Sequence, residues 1–542
     1  MFKTNKKYQQ PALISNVNDM QEKHQKRLEE SWAGVFFNET FCRIDERPFE
    51  VLYADFPSRP NCPVNVFLGL ETLKVAFGLS DEEIYDQFTY NTQFRYVLGY
   101  QQLGEGDFDL RSLYYFRARL SQYMQRTGIN LIEKAFEQVT DAQIKAHEIK
   151  TGKQRMDSTQ IASNIREMGR LQLLVEVLQR VYRLLTEEDQ QQYGEEFTEY
   201  IQRNAGQYVY HIKGQQSEEH LDKIGKLIQK LLEELKPKYE VEPVYQVMKR
   251  VFEEHFWLEG KEIKTKKGQE LSASSLQSPD DLEATYRVKG RKSHKGYVAN
   301  LAETCDPENK VQLITKVQVA PNHTEDADLL VEALPNLKKR TDLDTLYDDG
   351  AYGSTEADQI LREHSVTQIQ SAIRGRNPNV EKLNLYNFEI KQTESGTPTQ
   401  MICPLGQKVP VHLSNQKKGY VVHFEEVVCK KCPFYQDGSC PVQKGKREAK
   451  MYLRFRQQQV NVSQRQGRNM IYQEEARNLR AAVEGTVHQV KHRFAGGKVP
   501  VRGKFRVTCL VVEAAMMSLR RIHHYLKDKE VVDRSNPVPL IA

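Results

Sequence analysis

The sequence predicts an α/β protein: a mixed-sheet core interrupted by a helical block and preceded by an all-helical segment. Three observations lead there. Apolar residues recur at helical spacing over Leu171, Leu174, Leu178, Val181 and Leu185, and again over Leu221, Ile224, Ile228, Leu231 and Leu235. Short alternating or β-branched runs follow at residues 297–304, 311–319 and 366–373. Between them, residues 328–337 read as a helix, and 343–347 as a short run leading to Asp348, Asp349 and Gly350. The order strand, strand, helix, strand suits a mixed sheet.

Residues 1–140 read as helical. Ser80 and Glu83 have capping-box spacing: the hydroxyl satisfies a free backbone N–H and the carboxylate reaches back. Such a bundle suits DNA binding or assembly, and equally a plain helical module. Residues 141–164 begin the core with a helix end and a short strand carrying Asp157, Ser158 and Thr159. Residues 165–275 are read as a helical insertion, although a self-contained bundle fits the same pattern. The core continues over 276–400. Residues 401–450 hold four cysteines, and 451–542 are helices that complete the core, broken at Gly496 and Gly497.

A chain of 542 residues exceeds what one hydrophobic core supports. With 39% hydrophobic and 28% charged residues it reads as a soluble globular protein. No run approaches the roughly 18–20 apolar residues of a membrane span. The best candidate, residues 508–519, is short and contains Glu513. The first ten residues have no apolar signal region, so a cytoplasmic, nucleoid-associated protein without membrane contact is expected. The net charge of +5 does not announce a nucleic-acid binder. Its distribution does more: Lys491, Arg493, Lys498, Arg502, Lys504 and Arg506 crowd one stretch. Alone this would be a solvated face; beside a candidate acidic site it points to DNA.

That site begins on the C-terminal helix. With Arg480 at zero on a wheel of roughly 100° per residue, Glu484 falls at about 40° and Lys491 at about 20°. Arg477 and His488 fall at about 60° and 80°, while Ala476, Leu479, Val483, Val487, Val490 and Phe494 fill the adjoining arc. One carboxylate among cations, on the edge of a buried stripe, suits a metal ligand flanked by phosphate-binding groups, although surface salt bridges give the same pattern. Asp348 and Asp349 before Gly350 place carboxylates at the lip of a sheet, or simply make a turn. Asp157 after a strand also suits a turn or a helix cap. Together the three positions suit phosphodiester cleavage, in which two Mg²⁺ ions about 3.5–4 Å apart activate the attacking oxygen and stabilise the leaving one. Mg²⁺ takes oxygen ligands and keeps several waters, so a few carboxylates suffice.

These residues resemble a bacterial insertion-sequence transposase of the DDE type. Asp157-Ser158-Thr159 resembles the family's first-strand motif, and Asp349-Gly350-Ala351-Tyr352 its second. Arg480, Glu484 and Lys491 match most of its Tyr-x2-Arg-x3-Glu-x6-Lys signature, with Arg477 where the family has Tyr. Arg59-Pro60, the stretch from Leu79 to Glu83, and Leu98-Gly99 resemble the helical domain that precedes many such cores. The resemblance covers nearly the whole chain. It implies an RNase H-like core with Asp157 on the first strand, Asp349 after the fourth and Glu484 on a late helix. These three would be catalytic and hold Mg²⁺, with Mn²⁺ as an alternative; Asp348 is the reserve candidate for the second acid. Arg477, Arg480, Lys491 and Arg493 would contact DNA. The implied activity is cleavage at terminal inverted repeats and transfer of the 3′-hydroxyl ends to target DNA, by a homodimer in the synaptic complex. A catalytically inactive DNA-binding descendant and a simple RNase H-like nuclease are the alternatives.

Cys403, Cys429, Cys432 and Cys440 have the spacing of a structural zinc site, in which a Cys-x2-Cys knuckle presents two sulfurs at once. A small zinc-ribbon-like insertion, its Zn²⁺ held by these four thiolates, is therefore expected at 401–450. Four unligated thiols are the bland alternative.

Overall fold

The computed structural model describes all residues except 11–14, 55, 57–59, 261, 374–378, 380, 415–418, 446–449, 493–496 and 536–542. The N-terminal helices are α1 (Glu22–Glu29), α2 (Trp32–Glu39), α3 (Val64–Phe77), α4 (Asp81–Tyr90), α5 (Thr92–Val97), α6 (Leu110–Thr127) and α7 (Leu131–Ala146). Side-chain caps start several of them: Ser31 accepts from Ala33, Asp109 from Arg111, and Asn130 from Ile132 and Glu133. Both bonds of the Ser80–Glu83 capping box form. α3 is buried from Val64 to Leu73, as befits a helix apolar on all sides.

An ion network ties α3, α4 and α6 together. Arg117 donates to Asp81 through both Nη atoms at 2.8 Å and through Nε to Glu71 at 2.6 Å, and Lys74 also reaches Asp81. Arg117, then Lys74, hold the Asp81 carboxyl well below the usual carboxylate range, against burial. A depressed folded value stabilises fully above the unfolded value of about 3.9, and that stability is lost as pH falls through the folded value. Asp81→Asn should therefore lower the melting temperature at neutral pH, and the deficit should shrink below about pH 4. A deficit that stays constant into acid would show that the ion network is not its cause.

The core sheet is built from β1 (Lys153–Ala162) and, beyond the helical block, from later strands. The block contains α8 (Arg170–Leu184), α9 (Glu187–Ile201), α10 (Ala205–Tyr210), α11 (Ser217–Glu234), α12 (Lys236–Tyr239) and α13 (Pro243–His255). It encloses a hydrophobic cluster of its own, including Leu174, Leu178, Ile224, Ile228 and Leu231, the residues that carry the helical period. The helical reading fails at β2 (Phe256–Glu259) and β3 (Glu262–Thr265), a hairpin turning at Gly260, whose φ is 65°. Strands of four residues are too short for alternation to stand out beside a long helix.

Strands β4 (Thr285–Lys289), β5 (Lys292–Thr304) and β6 (Ile314–Pro321), helix α14 (Asp326–Arg340), β7 (Thr345–Asp348), helix α15 (Thr355–Glu363) and β8 (Thr367–Gln370) complete the mixed sheet. Its order is β4-β5-β1-β7-β8, with β6 on β5. β5 runs antiparallel to β1, β4 and β6, whereas β1, β7 and β8 are mutually parallel. One sheet face, with Met156, Ala302 and Leu346, packs on α14 and α15.

A second sheet contains β9 (Glu389–Gln392), β10 (Pro398–Ile402), β11 (Lys408–Leu413), β12 (Tyr420–Glu425), β13 (Gln443–Lys444) and β14 (Lys450–Phe455), all antiparallel, with α16 (Glu426–Lys430) and α17 (Pro433–Gln436) between β12 and β13. The small zinc-ribbon-like insertion expected here is not supported. This unit is a larger sheet around Phe388, Met401, Val422, Phe424, Met451 and Phe455, with Cys403, Cys429 and Cys440 packed against that cluster. The chain then enters α18 (Gln457–His492), α19 (Lys504–Thr508) and α20 (Leu510–Ser535). One contiguous cluster joins the N-terminal helices, Tyr297 and Leu301 of the sheet, Val483, Val487 and Val490 of α18, and α20.

Candidate active site

β1 and β7 are neighbours in parallel register, with Arg155 opposite Tyr347. Two residues further along each of these segments stand Asp157 and Asp349, so the register brings them side by side at the sheet lip. Alternation then assigns faces. Tyr347 packs on Ala476 and Leu479 of α18, whereas Leu346 and Met156 pack on the α14 side. Asp157 and Asp349 are thus on the α18 side and Asp348 is on the other.

The three aspartates differ accordingly. Asp157 is buried and accepts from the Ser158 N–H at 2.9 Å. Burial lifts its carboxyl above the ordinary range, and Arg480 is the chief opposing influence. Asp349 is more open and accepts from the Ala351 N–H at 2.8 Å, which fixes the turn after β7. Asp348 is fully buried and accepts from Gln368 at 2.7 Å and Gln370 at 3.3 Å. Burial pushes its carboxyl far up, despite those bonds.

α18 supplies the third acid. Arg480 extends from it into the lip, with Nη2 at 3.6 Å from Asp157 and 3.8 Å from Asp349, and Nη1 at 3.3 Å from Glu484. Arg480 Nη1 also donates to Ser371 Oγ at 3.2 Å, while its buried Nε has no hydrogen-bond partner among the described residues. The Glu484 side chain is 61% exposed. A guanidinium thus bridges carboxylates from three segments far apart in sequence.

A second ion cluster presses α18 onto the sheet. Glu303 on β5 is fully buried and accepts from Arg155 at 2.8 Å, Arg521 at 2.7 Å and Thr486 at 3.0 Å. Arg155 also donates to the Leu479 carbonyl at 2.5 Å. Strands β1 and β5 and helices α18 and α20 meet at this one carboxylate.

The basic residues divide. Arg477 is exposed, and the Lys491 stem lies against Gly497 at φ 72°. Arg493 lies outside the described residues. Lys498 donates to the Ile165 carbonyl at 3.1 Å and Arg502 to the Asn164 carbonyl at 2.7 Å, so both serve the fold beyond β1.

Sequence reasoning missed Asp326 beside the acids, and named Tyr352 only for its spacing to Asp349. Asp326, in the first turn of α14, is buried and accepts from Ser158 Oγ at 2.8 Å. Tyr352 is fully buried and donates to Asn300 Oδ1 at 2.7 Å, within the field of Asp326, Asp157, Asp349 and Asp348. An acid opening a helix was the one local signal for Asp326; the partners of Tyr352 depend on sheet register.

Among the described residues, no group of three or more His, Cys, Asp or Glu side chains stands ready to hold a metal ion. At the lip, Arg480 lies between the acids and supplies the opposing charge. The donor set nevertheless suits a hard divalent cation: three carboxylates at an open edge. The four cysteines line one apolar cavity with Phe388, Phe424 and Phe434, but do not form such a group. Burial pushes Cys429 up to about 11, with Cys440, Cys403 and Cys432 adding to the rise, and burial raises Cys440 as well. The closed zinc shell expected from their spacing is not supported among the described residues.

Among the described residues, no helix is long and apolar enough to cross a membrane. Residues 402–523 match the family model described as Transposase DDE domain, and residues 27–119 match that described as Transposase domain (DUF772). Glu484 lies inside the first match, whereas Asp157 and Asp349 lie outside both. No curated protein and no solved structure matches the chain.

Proposed function

We propose, for a chain whose two matched domains are those of an insertion-sequence DDE transposase, that Asp157, Asp349 and Glu484 are its catalytic carboxylates and that it cuts and joins DNA. The observation that carries this reading is the convergence of these acids on Arg480, at 3.3–3.8 Å. An RNase H-like core is the fold this reading requires. Its support is the order β6-β5-β1-β7-β8, with the helical block inserted after β1 and the second acid following β7.

The three carboxylates would hold Mg²⁺ or Mn²⁺, which when bound supplies the charge stabilisation needed for in-line attack at phosphorus. Asp157, fixed within a strand, and Asp349, fixed by its turn, are preorganised by backbone hydrogen bonds. Glu484, exposed on α18, retains freedom to adjust. Arg480 neutralises the acids and lies where a scissile phosphate would add negative charge, so it can exchange a carboxylate for a phosphate oxygen. Arg477 and Lys491 extend the phosphate-binding side of α18, and Arg493 would add a further DNA contact. The protein acts on DNA as a homodimer that pairs two inverted-repeat ends, and it works in the cytoplasm at the nucleoid.

The full chain, incubated in Mg²⁺ with DNA bearing the sequences that flank its coding region, should cut at the ends and join pre-cut 3′-hydroxyl ends to a plasmid. Cutting without joining would indicate a simple nuclease. Binding without either reaction would indicate an inactive descendant.

A further inference from the structure

The hairpin made by β4 and β5 carries a concentration of positive charge that the catalytic reading leaves without a task. Residues 287–295 contain Arg287, Lys289, Arg291, Lys292, His294 and Lys295 and no acid. Two of these serve the fold. Arg287 lies 3.7 Å from Asp326 and donates to the Thr324 carbonyl, and Lys295 donates to the Met168 carbonyl at 2.9 Å. Lys289, Arg291 and Lys292 are exposed at the tip, and none has an ion-pair partner among the described residues.

The tip is also tied to the acidic lip. At Gly296 strand β5 passes from pairing with β1 to pairing with β4, and the backbone takes φ 143°. A Cβ there would stand 2.4 Å from the Ile161 carbonyl oxygen, so glycine is required at this junction. Arg287 anchors β4 to Asp326, which accepts from Ser158, the neighbour of Asp157. Through Arg287 and Asp326 the hairpin is thus held beside Ser158 and the acidic lip.

The turn itself is unusual. Gly290 and Arg291 both have positive φ, at 57° and 66°. A two-residue turn of this kind favours Asn-Gly or Gly-Gly, and arginine in the left-handed region is strained. Strain of this sort points to a role for the side chain beyond closing the turn.

We propose that the β4–β5 hairpin is a phosphate clamp, with Lys289, Arg291 and Lys292 gripping the DNA backbone beside the acidic lip. The clamp rests on the transposase reading and adds a DNA-binding element to it. Three exposed cations on one hairpin suit a polyanion of regular phosphate spacing, and such contacts position DNA without reading its sequence.

The test is affinity for a short random-sequence duplex, measured with the full chain over a range of salt concentrations. Each phosphate contact contributes roughly 0.9 to the slope of log affinity against log salt. The Lys289→Ala/Arg291→Ala/Lys292→Ala variant should lose about 2–3 from that slope. A charge-matched control, Lys223→Ala/Lys226→Ala/Lys249→Ala on the helical block, should keep the parental slope. Arg291→Gly alone should lose about 1 from the slope while melting no lower than the parent, since it removes strain together with the contact. Parental slopes in both hairpin variants, or an equal loss in the control, would overturn the clamp and leave the transposase reading standing. A parent that binds no duplex even at low salt would overturn the reading on which the clamp rests.

Discussion

Asp157→Asn, Asp349→Asn and Glu484→Gln should each reduce Mg²⁺-dependent DNA cleavage by on the order of a thousand-fold, a loss of about 4 kcal/mol in transition-state stabilisation. Each swap keeps size and removes one negative oxygen from the lip. Asp348→Asn should cost less than about tenfold, or about 1.4 kcal/mol. Asp348 is fully buried, its carboxyl is pushed toward the neutral form, and it accepts from Gln368 and Gln370. The Oε1 atoms of both glutamines are buried without partners among the described residues, so an asparagine amide finds acceptors there. Cleavage assays on the four variants, with melting curves to exclude unfolding, decide the matter. If Asp348→Asn were the inactive variant and Asp349→Asn the active one, the second acid would be misassigned.

Glu303→Ala should destabilise the protein by about 3–5 kcal/mol, because it leaves Arg155 and Arg521 charged and partly buried without their carboxylate. The consequence should reach activity as well as stability. Glu303 binds side chains from β1, α18 and α20, and β1 and α18 carry Asp157 and Glu484. Its loss frees α18 to shift against the sheet, and small misplacements of catalytic groups are costly. Urea unfolding and cleavage measured on the same preparations test both halves. Glu303→Gln, which keeps hydrogen-bond acceptors, should fall between Ala and the parent. A parental urea midpoint for Glu303→Ala would refute the clamping role.

Much of the architecture was legible in the chain, and the reason is local. Periods of 3.6 and 2 mark the helices of the insertion and the strands of the core, since both record which side of a segment is buried. The capping box at Ser80 was legible because both partners lie within one turn. The wheel set Arg480 beside Glu484 for the same reason, and the two stand 3.3 Å apart. Spacing alone did not carry the cysteine reading further. The four cysteines read as a closed zinc shell; they line one cavity with Phe388, Phe424 and Phe434, and three of them pack against the aromatic and aliphatic core of the second sheet.

The sequence by itself determined an α/β chain with a helical N-terminal region, a helical block inside the core and a late helix carrying an acid among cations. Only the tertiary structure decided which acids face that helix. Asp348 and Asp349 are neighbours with the same side chain, and they part because strand alternation sends one to the α14 side and the other to the α18 side. The location of the basic hairpin, the burial of Asp326 and the turning of Arg480 into the lip were settled in the same way. Each depends on contacts between segments far apart in sequence, and sheet register makes those contacts, which no local periodicity encodes.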